Sequence, residues 1–142
     1  MREGNRQAKN ALNREGDIWI YVVDDEPLIG EVLHTFFQMG GYPTALFTDP
    51  EAAWPGFQSA QPRPRLLVTD YVMSPMNGME LLAHCLKTEP KLKSIVISGN
   101  VGADELLCHP VRPDRFVHKP FHTAKLLKTV ASLIGAGLGH PV

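Results

Sequence analysis

From residue 18 onward, short runs of β-branched and aliphatic residues alternate with longer stretches whose apolar positions recur at helical spacing. The runs "IWIYVV" (18–23), "YPTALF" (42–47), "LLVTD" (66–70), "SIVIS" (94–98) and "RFVHK" (115–119) read as strands. Strands alternating with helices in this way predict an α/β domain, a parallel sheet covered by helices, with five βα units filling residues 18–135. The first helix opens at Pro27, carries Leu28, Ile29, Val32, Leu33, Phe36 and Phe37 as a core stripe, and stops at Gly40-Gly41. In "MNGMELLAHCL" Asn77 is placed to cap a helix, with Glu80 three residues on as in a capping box. The last helix shows Leu126, Leu127, Val130, Leu133 and Ile134 on one face before Gly135. Prolines mark the irregular helices. Pro55 inside "DPEAAWPGFQSA" costs about 3 kcal/mol in a helix interior, so the second helix is expected to be short or broken. Pro110 and Pro113 should end the fourth early.

Composition changes this picture little. A chain of 142 residues, 44% apolar and 20% charged, suits one domain with its own core. Residues 1–17 are polar and lack aromatics, and read as a flexible lead-in, with 136–142 as a tail. The net charge of -1 gives no general attraction to nucleic acid or anionic lipid, so charge chemistry must be local. No apolar stretch approaches the roughly 18 residues of a membrane span, and no hydrophobic signal core precedes residue 18, which favours a cytoplasmic protein. Cys85 and Cys108, both expected in helices, have no metal-ligand spacing and read as thiols of a reducing compartment.

The local charge chemistry lies at the strand ends. In an open parallel sheet, ligands bind beyond the carboxyl ends of the strands. There the first strand delivers Asp24 and Asp25, the third Asp70, the fourth Ser98 and the fifth Lys119. Three neighbouring carboxylates repel one another, which makes physical sense chiefly around a hard divalent cation, Mg²⁺ being the natural choice. Lys119 and Ser98 add a positive charge and a donor suited to an anion beside that metal, a phosphoryl group above all. Taken alone, Asp24-Asp25-Glu26 would read as solvated acids opening a helix. Met73, Met76 and Met79 read as packing and turn residues, and the six histidines share no face or metal spacing.

The segments "VVDDEP", "VTDYVMSPMNGMEL", "VISGN" and "VHKPF", in this order, resemble the receiver domain of two-component response regulators over about residues 17–135. The resemblance implies a flavodoxin-like, five-stranded doubly wound parallel sheet of order 2-1-3-4-5, with helices on both faces. It implies a receiver domain at 18–135 that takes a phosphoryl group from a histidine kinase or histidine phosphotransfer protein. Asp70 matches the phosphoacceptor. Asp25 and Asp70 match direct Mg²⁺ ligands, Asp24 the acid holding metal-bound water, and the backbone carbonyl of Val72 a further ligand. Ser98 and Lys119 match the phosphoryl-binding pair, and Ser98 with Phe116 the switch residues. Val72 and Asn100 match the two positions that tune dephosphorylation. The Lys119-Pro120 bond matches one that is cis in the family.

Two departures from the family pattern stand out. The proline of "MSPMNG" falls one residue late, and Phe116 lacks the hydroxyl of a tyrosine. A flavodoxin-type cofactor binder would need a glycine- and hydroxyl-rich loop where "DDEP" stands. A haloacid-dehalogenase-type Mg²⁺-dependent phosphatase shares the chemical kit but expects its nucleophile as D-x-D on the first strand. A degenerate receiver acting only as a docking module is the third alternative. The chain is expected not to be an enzyme beyond self-catalysed acceptance and slow autodephosphorylation. It is expected to be a monomer or weak homodimer that signals through a downstream protein target or a fused domain, since 142 residues leave no room for an output domain.

Overall fold

The computed structural model describes residues 17–99 and 103–138. The strands are β1 (Ile20–Val23), β2 (Thr44–Phe47), β3 (Leu66–Asp70), β4 (Lys93–Ser98) and β5 (Arg115–His118). They form one parallel sheet in the order β2-β1-β3-β4-β5, the order the resemblance implied. The helices are α1 (Pro27–Met39), α2 (Pro50–Ser59), α3 (Gly78–Thr88), α4 (Ala103–Leu107) and α5 (Thr123–Ile134).

Period-two alternation divides the core in two. Ile20, Val22, Leu66, Val68, Ile95 and Ile97 point to one face, where they meet Leu33 and Phe37 of α1 and Leu126 and Val130 of α5. Tyr21, Val23, Leu67 and Val96 point to the other and meet Ala53 and Phe57 of α2, Leu81, Leu82 and Cys85 of α3, and Leu106 of α4. Helices therefore cover both faces, and the central strands β1 and β3 are buried along their whole length, apolar up to Thr69 and Asp70 at the end of β3. Burial also pushes the Cys85 thiol up to about 12, while Cys108 is exposed just beyond α4.

Strand limits differ from expectation mainly at β1 and β2. Pro43 has no N–H to offer a ladder, so β2 starts at Thr44, and the amides of Trp19 and Ile20 both donate to the Pro43 carbonyl. Helix α1 spans the expected stretch and ends at Gly40, with Gly41 at φ 93°, a conformation that favours glycine. Its stripe is only partly core. Leu33 and Phe37 are buried, but Leu28 is 82% exposed and Val32 53% exposed. Helix α2 is the shortest of the four longer helices but runs unbroken through Pro55. Asp49 caps it by accepting from the Glu51 amide, and buried Ala53 and Phe57 hold it to the sheet, so packing outweighs one missing hydrogen bond. The Asn77–Glu80 capping box is present, and α4 is five residues long before the two prolines. Residues 1–16 of the expected lead-in and 139–142 of the expected tail lie outside the described residues; Leu138 docks its amide on the Gly41 carbonyl.

Register carries the strand ends to one rim. Val23 lies beside Thr69, Asp70 beside Ile97 and Ser98 beside His118, so Asp24, Asp70, Ser98 and Lys119 emerge level with one another. The loop after Asp70 folds back, its Gly78 amide donating to the Tyr71 carbonyl at 2.9 Å. A Cβ on Gly78 would lie 2.1 Å from the Asp70 carbonyl oxygen. Gly78→Ala should therefore cost about 2 kcal/mol or more in urea unfolding. Gly99→Ala, whose Cβ would meet nothing within 4 Å, should stay within about 0.5 kcal/mol of wild type. Equal midpoints for the two variants would remove the packing argument for Gly78.

Candidate functional site

Carboxylate oxygens of Asp24, Asp25 and Asp70 all lie within 4.8 Å of one another. Asp24 follows β1 directly and is 1% exposed; Asp70 ends β3 and is 5% exposed; Asp25 faces solvent. Asp24 Oδ1 accepts from the Glu26 amide at 2.9 Å, which fixes the turn into α1. The Asp70 carbonyl accepts from Thr69 Oγ1 at 2.9 Å, and the next amide, Tyr71, donates to the Ile97 carbonyl at 2.8 Å. From the end of β5, Lys119 Nζ reaches Asp70 Oδ1 at 3.1 Å and Glu26 Oε1 at 3.8 Å. The Lys119 amide donates to the Ser98 carbonyl at 2.9 Å, and the Lys119-Pro120 bond is cis.

Burial dominates the electrostatics. It pushes the Asp24 carboxyl up to about 6, helped by nearby Asp70 and opposed by the Glu26 amide and Lys119. Asp70 is raised for the same reason, its burial outweighing the hydrogen bond and charge of Lys119. For Lys119 burial works toward a lower value but is outweighed by Asp70, Asp24 and Glu26, so its ammonium is held above the ordinary range. Beside these groups the Ser98 hydroxyl is fully buried, with no hydrogen-bond partner among the described residues. Among the described residues the rim thus combines an excess of buried negative charge with the Lys119 ammonium and the Ser98 hydroxyl. Such a donor set suits a hard cation next to an anionic group.

Asp24, Asp25, Asp70, Ser98 and Lys119, scattered across the chain, are thus brought to one rim. The Val72 side chain projects into solvent, 62% exposed. Phe116 is half-buried against the cluster that contains Tyr71 and Leu106. Asn100 lies outside the described residues. Two features went unnoticed in the sequence. Glu26 shares Lys119 with Asp70, and the Tyr71 hydroxyl meets Glu105 and His109 across the top of the domain. The first could have been found from its place in the acidic triplet; nothing in the spacing announces the second.

The family model for the response regulator receiver domain matches residues 20–131. Among curated proteins, the chain is 33% identical over 104 residues to the response regulator GtcR of Aneurinibacillus migulanus, covering 72% of this chain and 42% of that protein. It is 27% identical over 111 residues to the putative two-component response regulator ARR21 of Arabidopsis thaliana, covering 77% of this chain and 18% of that protein. The chain thus spans less than half the length of either relative. Among solved structures, a response regulator receiver domain protein from Clostridium thermocellum superposes with a TM-score of 0.76 at 20% identity, covering 82% of this chain and 94% of that one. A response regulator receiver protein from Pseudomonas putida gives 0.74 at 26% identity, covering 84% and 99%.

The raised Asp24 carboxyl has a thermodynamic consequence. Its value of about 6 lies above the ordinary 3.8, so the folded state holds the proton more tightly and stability falls as pH rises through that window. In metal-free buffer Asp24→Asn should be more stable than wild type at pH 8, by on the order of 2–3 kcal/mol. The difference should shrink to about 0.5 kcal/mol by pH 4, where the folded carboxyl is protonated and the unfolded one is partly so, and vanish only below the unfolded value of 3.8. Thermal melts from pH 4 to 8 in a chelator check this; parallel curves would show that no charge is being buried.

Proposed function

The chain belongs to the response regulator receiver domain family, and from that premise we propose that Asp70 takes a phosphoryl group from the phosphohistidine of a histidine kinase or phosphotransfer protein. The observation that carries this reading is the 3.1 Å contact of Lys119 Nζ with Asp70 inside a trio of carboxylates within 4.8 Å of one another. An Asp70 oxygen forms the new O–P bond as the P–N bond of the donor breaks, and the electron pair of that bond leaves with the imidazole. Lys119, already poised at the nucleophile, neutralises charge on the phosphoryl oxygens. The Ser98 hydroxyl, buried and without a partner among the described residues, donates to one of those oxygens.

The residues present fit Mg²⁺. Asp25 and Asp70 would ligate it directly with the Val72 carbonyl, and Asp24 would hold its water. When bound, Mg²⁺ offsets the charge of the carboxylates and of the incoming phosphoryl group. Ser98 and Phe116 form the switch in this reading. The phosphorylated domain then acts on a downstream protein or fused domain, in the cytoplasm, as a monomer or weak homodimer and without contacting nucleic acid itself. Among the described residues no helix is long and apolar enough to cross a membrane. The chemistry ends at acceptance and slow self-dephosphorylation.

Incubation with Mg²⁺ and a small phosphodonor should add one phosphoryl group at Asp70, read by intact mass. Labelling that survives Asp70→Asn, or that a chelator leaves unchanged, would overturn the assignment.

Val72 governs the lifetime of that label. Its exposed side chain has no polar atom to orient water, so Val72→Asn should speed loss of phosphate about tenfold, the effect of one oriented hydrogen bond worth roughly 1.4 kcal/mol in the transition state. First-order decay after donor removal measures it, and a rate equal to or below wild type would show that position 72 does not control the water.

A further inference from the structure

Helix α4 has five residues, too few for a helix to persist on its own in water. Among the described residues, it is held to the domain by the buried side chain of Leu106 and by a polar contact from the acceptor loop. The Tyr71 hydroxyl lies 3.3 Å from Glu105 Oε2 and 3.0 Å from His109 Nε2, and its ring meets the His109 ring edge to face at 5.7 Å. With the imidazole proton on Nε2, His109 donates to the Tyr71 oxygen and the Tyr71 hydroxyl donates to Glu105, so each link is used. Burial raises Tyr71 above its ordinary range, and Glu105 pushes the same way, so the hydroxyl keeps its proton.

Tyr71 is also the residue that follows Asp70. Its amide is tied to the Ile97 carbonyl and its carbonyl to the Gly78 amide, at 2.8 and 2.9 Å. Backbone movement at Asp70 therefore cannot be absorbed by slack in the loop. It passes into a stiff, buried aromatic ring whose far end grips α4. Phe116 packs on the same cluster but has no polar atom with which to hold anything. We propose that Tyr71 is a positioning residue that couples the state of Asp70 to the placement of α4 through its hydroxyl contacts with Glu105 and His109. The proposal deepens the reading of Asp70 as phosphoacceptor and rests on it.

The test uses the full chain with Mg²⁺ and beryllofluoride, a tetrahedral phosphoryl mimic. Amide hydrogen exchange at residues 105–109 and the apparent dissociation constant of the mimic are measured for wild type, Tyr71→Phe, Glu105→Ala and, as a hydrogen bond lost elsewhere, Thr129→Val, whose hydroxyl donates to the Lys125 carbonyl on α5. In wild type the mimic should change exchange at 105–109. In Tyr71→Phe and Glu105→Ala that change should shrink three- to tenfold, roughly the factor one hydrogen bond supplies, whereas Thr129→Val keeps it. Because coupling is reciprocal, the dissociation constant should change by a similar factor in the first two variants. If Tyr71→Phe and Glu105→Ala respond as wild type, or speed exchange equally with and without the mimic at unchanged affinity, the coupling is overturned and Asp70 keeps its role. A wild-type protein that binds the mimic without any change at 105–109 has the same meaning. Failure of wild type to bind the mimic overturns both readings.

Discussion

The rim is organised by one electrostatic conflict: two carboxylates, Asp24 and Asp70, are withdrawn from water at the ends of the central strands, and the Lys119 ammonium opposes their charge. Burial wins for both acids, since both are raised. A fold does not gather such groups for stability, because removing charges from water costs more than one imperfect partner returns. The sheet makes the arrangement possible. Parallel register brings β1, β3, β4 and β5 to a common level, and the two apolar layers above and below hold that register against the repulsion at the top.

The neighbouring loop serves the same end. Gly78 touches the Asp70 carbonyl so closely that no side chain fits, and the capping box at Asn77 and Glu80 starts α3 at that point. Backbone, cap and helix thus form one brace behind the acceptor. In front, Lys119 is divided between Asp70 and Glu26, which leaves its charge available to a third anion from solvent. The two sides differ in stiffness as a result: the braced carboxylate is fixed, and the lysine that answers it sits on a long flexible stem.

Much of this was legible in the sequence. Apolar runs marked the three central strands because a sheet buried on both faces has little tolerance for polar residues. Asp24, Asp25, Asp70, Ser98 and Lys119 stood out because each sits where an apolar run stops. What escaped depends on contacts between distant segments. Leu28 and Val32 fit the helical stripe, yet α1 opens beyond the carboxyl ends of the strands, and its first turns face Pro120 and Phe121 across a groove instead of the core. Pro55 reads as a break in the sequence because local propensity does not register Phe57 and Ala53, which hold α2 to the core. Tyr71, Glu105 and His109 belong to two loops and a helix whose meeting no periodicity encodes.

The burial of Cys85 gives the domain an internal clock. Its thiol lies in the core between sheet and α3 and is pushed up to about 12, so almost none of it exists as the reactive thiolate while the core is closed. An alkylating reagent can reach it only through the opening that separates α3 from the sheet. The rate of its modification under native conditions therefore reports how often that half of the domain comes apart. Exposed Cys108 sits outside that barrier, and the same molecule carries both the fast and the slow hand.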